Sequence, residues 1–193
     1  VQSHGSIVFL DLRACPIPDP VATVLARLLL RNNSAPTLQF LNLECCEITD
    51  FGTNLIASAL ETNSTLQKMD FSENDFGLAG AAALAHVLRT NSCLQDLSLR
   101  QNNLTDACIE PFSDALRENS TLQILNLALN DIMDYGAGRI AGALSHNSTL
   151  QDLDLSSNGI RNIGAAALSQ VLLNTSGAVP YTHLRAHETK ATS

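Results

Sequence analysis

The sequence predicts an α/β solenoid, with a parallel sheet along one side and a layer of helices along the other. A leucine pattern opens at Leu38, Leu66, Leu94, Leu122 and Leu150, 28 residues apart, and a sixth copy opens at Ile7, 31 residues before Leu38. Each copy begins with apolar residues alternating at period two, as in a short strand. It continues with apolar residues spaced i, i+4, as along one helix face. Repetition at this period implies stacked units, none of which can bury its apolar face alone.

The copy at Leu122 shows the pattern plainly, as L-x-x-L-x-L-x-x-N-x-I through Leu122, Leu125, Leu127, Asn130 and Ile132. The strand pairs are Leu41 and Leu43, Met69 and Phe71, and Leu97 and Leu99 in the preceding copies. Their side chains point one way into a shared core, so successive strands lie parallel and side by side, each copy returning through its helix. The result is a horseshoe of six repeats of about 28 residues, with a concave sheet and convex helices. After each strand, Asn74, Asn102, Asn130 and Asn158 mark a tight turn whose buried backbone needs partners; an amide can donate and accept at once, so stacked copies form a ladder.

Asp19, Asp50, Asp106, Asp134 and Asn162 precede the helical runs and are expected to be N-caps, with Pro20 opening the first helix. Leu78 takes that position in the third copy, which predicts a weaker cap there. Two columns, Leu25, Ile56, Leu84, Phe112, Ile140, Leu168 and Leu29, Leu60, Leu88, Leu116, Leu144, Leu172, form the sheet-facing side of the helices. Gly52, Gly80, Gly136 and Gly164 let adjacent helices approach, and Pro111 is expected to delay or bend the fourth helix. Asn32, Asn63, Asn91, Asn119, Asn147 and Asn174 close the helices and are expected to be left-handed C-caps. They also create sequons such as Asn63-Ser64-Thr65, which the repeat explains without a sugar.

Residues 1–176 form the solenoid, and residues 177–193 are expected to be a polar, non-repeat tail. The run Tyr181 to Glu188 resembles translated adaptor sequence from cDNA, so this tail is expected not to be native. Both solenoid edges are expected to expose apolar core, through excision from a longer protein or through edge-to-edge self-association.

A hydrophobic content of 45% in 193 residues suits one folded domain. No apolar run is long enough to span a membrane, and the start lacks the segments of a signal peptide. A net charge of -8 disfavours nucleic acid and anionic membranes and favours a basic protein partner. The cysteines, Cys15, Cys45, Cys46, Cys93 and Cys108, are five in number and lack zinc spacing; free thiols imply a cytoplasmic setting. Cys15 and Cys46 occupy the asparagine column and are expected to be buried thiols.

Copies such as Leu150 to Ser176 resemble ribonuclease-inhibitor-type leucine-rich repeats, a subtype also found in NOD-like receptor sensor regions, Ran GTPase-activating protein, tropomodulin and ciliary proteins. The resemblance covers Ile7 to Ser176 and implies ligands on the concave sheet or its rim. One polar column there holds Asp11, Asn42, Asp70, Ser98, Asn126 and Asp154. It is flanked by Phe9, Phe40, Lys68, Asp96, Ile124 and Asp152 on one side, and by Arg13, Glu44, Ser72, Arg100, Ala128 and Ser156 on the other. With Glu73 at a strand exit, seven carboxylates face three cations, a mildly acidic surface to which Phe9 and Phe40 add aromatics.

No catalytic, cofactor or metal residues emerge. His86 and His146 fall at different helix positions with no nucleophile near, and no glycine-rich phosphate loop follows a strand. The expected function is a non-enzymatic protein-interaction module; the alternatives are a structural component of a ciliary or cytoskeletal assembly, or a GTPase-activating regulator acting through Arg13 or Arg100.

Overall fold

The computed structural model describes residues 7–30, 38–174 and 183–185. Strands β1 (Phe9–Asp11), β2 (Phe40–Asn42), β3 (Lys68–Asp70), β4 (Asp96–Ser98), β5 (Ile124–Asn126) and β6 (Asp152–Asp154) alternate with helices. These are α1 (Asp19–Leu29), α2 (Asp50–Leu60), α3 (Leu78–Thr90), α4 (Asp106–Glu118), α5 (Asp134–Leu144) and α6 (Asn162–Asn174). A seventh strand, β7 (His183–Arg185), follows, and the sheet runs β1 to β7 in chain order, all parallel. Equivalent residues sit opposite one another: Phe9, Phe40, Lys68, Asp96, Ile124, Asp152 and His183 form one row. Three residues of the expected tail therefore extend the sheet; the remainder of 177–193 lies outside the described residues.

The core follows the predicted columns. Leu41, Leu43, Met69, Phe71, Leu125 and Leu127 are fully buried from the sheet side, and Ile56, Leu60, Phe112, Leu116 and Ile140 from the helix side. Burying each such side chain contributes ~1.5 to 3 kcal/mol. Leu172, on the last helix, departs from its column and is exposed.

The asparagine ladder forms as expected. Asn74 Oδ1 accepts from the Cys46 and Ile48 N–H groups of the preceding repeat at 3.2 and 3.0 Å, while its Nδ2 donates to the carbonyls of Leu43, Phe71 and Ser72. Asn74 N then donates to Asn102 Oδ1, and Asn102 N to Asn130 Oδ1, both at 2.9 Å. The residue before each rung is left-handed, at Ala14, Cys45, Glu73, Gln101, Leu129 and Ser157, which sets the turn at a cost of about 1 kcal/mol each. Cys46 is buried as a rung, its Sγ 3.1 Å from the Leu12 carbonyl oxygen, and burial pushes its thiol up to about 11. Cys15 corrects the expectation: it is exposed, because it stands on the first rung of the stack.

Three expectations about the helix ends are overturned in one direction. The aspartates do not cap their own helices; they are the first helical residues, and Asp50, Asp106 and Asp134 reach to the next repeat. Asp50 Oδ1 accepts from Gly77 N and Gly80 N, Asp106 Oδ1 from Met133 N, and Asp134 Oδ1 from Arg161 N and Gly164 N, at 2.6 to 2.9 Å. So α3, despite Leu78, receives a carboxylate from Asp50, and α4 is the helix whose preceding repeat has none to offer. This also bears on three of the four glycines of the column, the fourth, Gly52, facing Ile48 Cγ2 and Ala22 instead. A Cβ at Gly80, Gly136 or Gly164 would collide with the carboxylate of Asp50, Asp106 or Asp134, and where Leu78 replaces the acid the next repeat carries Cys108 instead.

The helix-ending asparagines are not left-handed. Asn91 and Asn119 are extended, with φ -79° and -70°. Each buried amide instead donates to the last helical carbonyls of the preceding repeat, Asn63 to Leu29, Asn91 to Leu60, Asn119 to Leu88 and Asn147 to Leu116, at 2.6 to 2.8 Å. Their Oδ1 atoms accept from the two N–H groups that open the next repeat, as at Thr121 and Leu122. Buried and bonded at both ends, Asn63, Asn119 and Asn147 present no acceptor for a glycan in the folded chain. Asn32 lies outside the described residues. Pro111 delays nothing: α4 starts in register at Asp106, and the carbonyl left without its donor belongs to the exposed Ala107.

Three outcomes follow. Asp106→Ala should cost about 1 kcal/mol of stability in urea unfolding. Gly136→Ala should also destabilise, since overpacking of ~1 to 3 kcal/mol outweighs a helix-propensity gain of about 1, and the loss should be smaller in the Asp106→Ala background, where the contact with Ile132 Cγ2 remains. Iodoacetamide at pH 8 should label the exposed Cys15 and Cys45 and spare the buried Cys46 and Cys108 until the chain is unfolded, as read by peptide mass analysis.

Candidate functional site

The strand residues facing away from the core form three columns across the sheet. The middle column turns out to shape the backbone. Asp11, Asn42, Asp70, Asn126 and Asp154 each accept, through Oδ1, the N–H two residues on, at 2.9 to 3.1 Å. Such a bond ends the strand and starts the turn. Asp70 is further tied to Ser72 Oγ at 2.6 Å, and Ser72 Oγ lies 2.7 Å from Ser98 Oγ, a link between repeats that strand patterning did not single out. Both hydroxyls stood in the columns, but alternation says nothing about which neighbours bond.

The row at the strand starts is the most accessible. Phe9 and Phe40 stack with ring centroids 4.4 Å apart, Lys68 Nζ lies 5.6 Å from the Phe40 centroid, and the same ammonium pairs with Asp96 Oδ2 at 2.6 Å. Four strands thus contribute one continuous aromatic, cationic and acidic run. Beyond it, Ile124 is exposed and Asp152 partly so.

The row at the strand exits is held by ion pairs. Arg13 pairs with Asp11 at 2.9 Å, and the hydrogen bonds from Arg13 hold the Asp11 carboxyl below its usual range while that carboxylate holds the guanidinium up. Arg100 Nη1 meets Glu73 Oε1 at 2.6 Å. The three cations on β1 to β6, Arg13, Lys68 and Arg100, are therefore engaged, whereas Glu44, Asp152 and Asp154 have no ion pair among the described residues. Neither Arg13 nor Arg100 is a free guanidinium. The described residues include no group of three His, Cys, Asp or Glu suited to a metal ion, and no helix long and apolar enough to cross a membrane.

The repeat profile described as leucine rich repeat matches residues 34–52, 62–85, 90–113, 118–141 and 146–169, more than half of the sequence. The chain belongs to the leucine-rich repeat family. A comparison with curated protein sequences finds no match. Among solved structures, this leucine-rich repeat protein is similar to the leiomodin-1 actin-binding site 2 at TM-score 0.64 and 22% identity, over 77% of this chain and 88% of that one. It is also similar to the tropomodulin C-terminal domain of Caenorhabditis elegans at TM-score 0.64 and 12% identity, over 79% and 91% of the two chains. At these identities the similarity shows a shared fold.

The two kinds of position should separate on substitution. Asn126→Ala, which removes the acceptor for Ala128 N, should lower stability by about 1 kcal/mol, whereas Lys68→Ala, which breaks an exposed pair, should change it by less than about 1 kcal/mol in the same unfolding assay.

Proposed function

We propose that this chain is a non-enzymatic protein-interaction module that holds its partner on the concave sheet face. The run Phe9, Phe40, Lys68 and Asp96 carries this reading: exposed aromatic surface with fixed polar neighbours is what interface hot spots are made of. Glu44, Asp152 and Asp154, without ion pairs among the described residues, favour a partner that brings positive charge. The contact set is Phe9, Asp11, Arg13, Phe40, Asn42, Glu44, Lys68, Asp70, Asp96, Arg100, Asn126, Asp152 and Asp154, with Asp11, Asn42, Asp70, Asn126 and Asp154 acting mainly by fixing the turn. The 28-residue period with a full helix in every described repeat supports the ribonuclease-inhibitor subtype, and unpaired thiols support a cytoplasmic setting.

A role in a cytoskeletal assembly is favoured by the solved structures, one of which is an actin-binding site. A GTPase-activating role through Arg13 or Arg100 is disfavoured, because each would first have to leave its carboxylate.

The decisive comparison is between wild type and Phe40→Ala/Lys68→Ala/Arg100→Ala. Filamentous and monomeric actin are offered first, then a native extract for affinity capture. A partner held by wild type and weakened at least tenfold by the triple variant supports the concave site, and actin as that partner supports the cytoskeletal reading. A partner held equally well by both proteins removes the concave site from the proposal.

A further inference from the structure

A second surface lies on the helix layer, between α4 and α5. Ser113, Asp114, Arg117, Gly138, Arg139 and Gly142 line an open cleft of about 90 Å³. Arg139 is out of pattern. The equivalent residues of α2, α3, α4 and α6 are Leu55, Ala83, Pro111 and Ala167, all apolar. Its Nη2 reaches Asp114 Oδ1 at 3.0 Å, while its Nε is shielded from solvent and has no hydrogen-bond partner among the described residues. A buried donor without an acceptor is rare enough to need a reason. Arg117 on the cleft wall has no ion pair among the described residues, the one carboxylate of the cleft, Asp114, being engaged by Arg139. Two cations thus face one carboxylate here, in a chain of net charge -8.

The cleft floor adds an independent oddity. Gly138 and Gly142 lie inside α5, where glycine weakens a helix relative to alanine. Unlike Gly80, Gly136 and Gly164, neither has a steric reason within the chain, since an added Cβ would meet nothing within 4 Å. A bare stretch of helix lets a second backbone approach closely. Towards the start of α5, Met133 and Tyr135 are 60% and 59% exposed, and Ile163, the α6 counterpart of Tyr135, is 76% exposed. Seven residues separate Tyr135 from Gly142, about 10 Å along the helix.

We propose that the α4–α5 crest docks an acidic segment of a partner protein. Its carboxylate binds Arg117 and Arg139, its main chain crosses Gly138 and Gly142, and an apolar side chain rests on Met133, Tyr135 and Ile163. Charge complementarity picks out this occupant: the residues that line the cleft carry two arginines against one aspartate, in a chain of net charge -8. The surface is independent of the concave face.

A random-sequence peptide display library is selected on the wild-type protein, and the recovered peptides are measured on Arg117→Ala/Arg139→Gln, on Gly138→Ala/Gly142→Ala, and on Phe40→Ala/Lys68→Ala. The expected result is a class of peptides rich in Asp or Glu with an adjacent apolar residue. These should lose at least tenfold in affinity on the first two variants and be unchanged on the third. The double alanine variant should also melt at a higher temperature than wild type, so its loss of binding would not be a loss of fold. Recovery of no acidic peptide, or of acidic peptides that bind all the variants equally, would overturn the proposal.

Discussion

The fold depends on polar side chains of one repeat completing the backbone of its neighbour. Asn74, Asn102, Asn130 and Asn158 do this inside the turns, Asn63, Asn91, Asn119 and Asn147 at the helix ends, and Asp50, Asp106 and Asp134 at the helix starts. A buried backbone group left without a partner costs about 1 to 3 kcal/mol. Each of these side chains is short, so its reach fixes the spatial step between repeats. The number of residues between copies is freer: Asn63 reaches Leu29 across a 31-residue interval as Asn91 reaches Leu60 across one of 28. Apolar burial supplies most of the driving force, but it is tolerant of small shifts, and the amide and carboxylate bonds are not.

That constraint limits where function can reside. Core positions, turn positions and the middle column of the concave face all serve the backbone, which leaves the two flanking columns and the outer helix surface free to vary. The concave cations are spent on Asp11, Asp96 and Glu73, so the face offers a partner aromatic surface and carboxylates more than free positive charge. The outer surface between α4 and α5 has the opposite character. A solenoid can carry two such surfaces with no conflict, because its layers are separated by the core.

Glycine illustrates why position and surroundings must be considered together. At Gly80, Gly136 and Gly164 the missing side chain makes room for a carboxylate from the repeat before, whereas at Gly138 and Gly142 it makes room for nothing in this chain. Both kinds lie on helices, but only the first recurs from repeat to repeat, whereas Gly138 and Gly142 are particular to α5. Cys46 offers a similar lesson: it stands in an asparagine column and is buried there, but Cys15, on the first rung among the described residues, is exposed.

The sequence by itself determined the solenoid, the strand and helix columns and the asparagine ladder, because a one-dimensional repeat writes its contacts at a fixed interval. It also placed the concave columns, since alternation along a strand decides which side chains leave the core. Only the tertiary structure decided which repeat each polar residue serves. A column of aspartates or asparagines looks the same whether it bonds to its own helix or to one about 30 residues away, and here the distant partner prevails. Strand β7 was likewise invisible, because backbone pairing along an open sheet edge needs no leucine pattern in the added strand. The α4–α5 cleft was hidden for a related reason: it arises from an arginine and two glycines on one helix meeting an aspartate and an arginine on the next, and only packing brings them together.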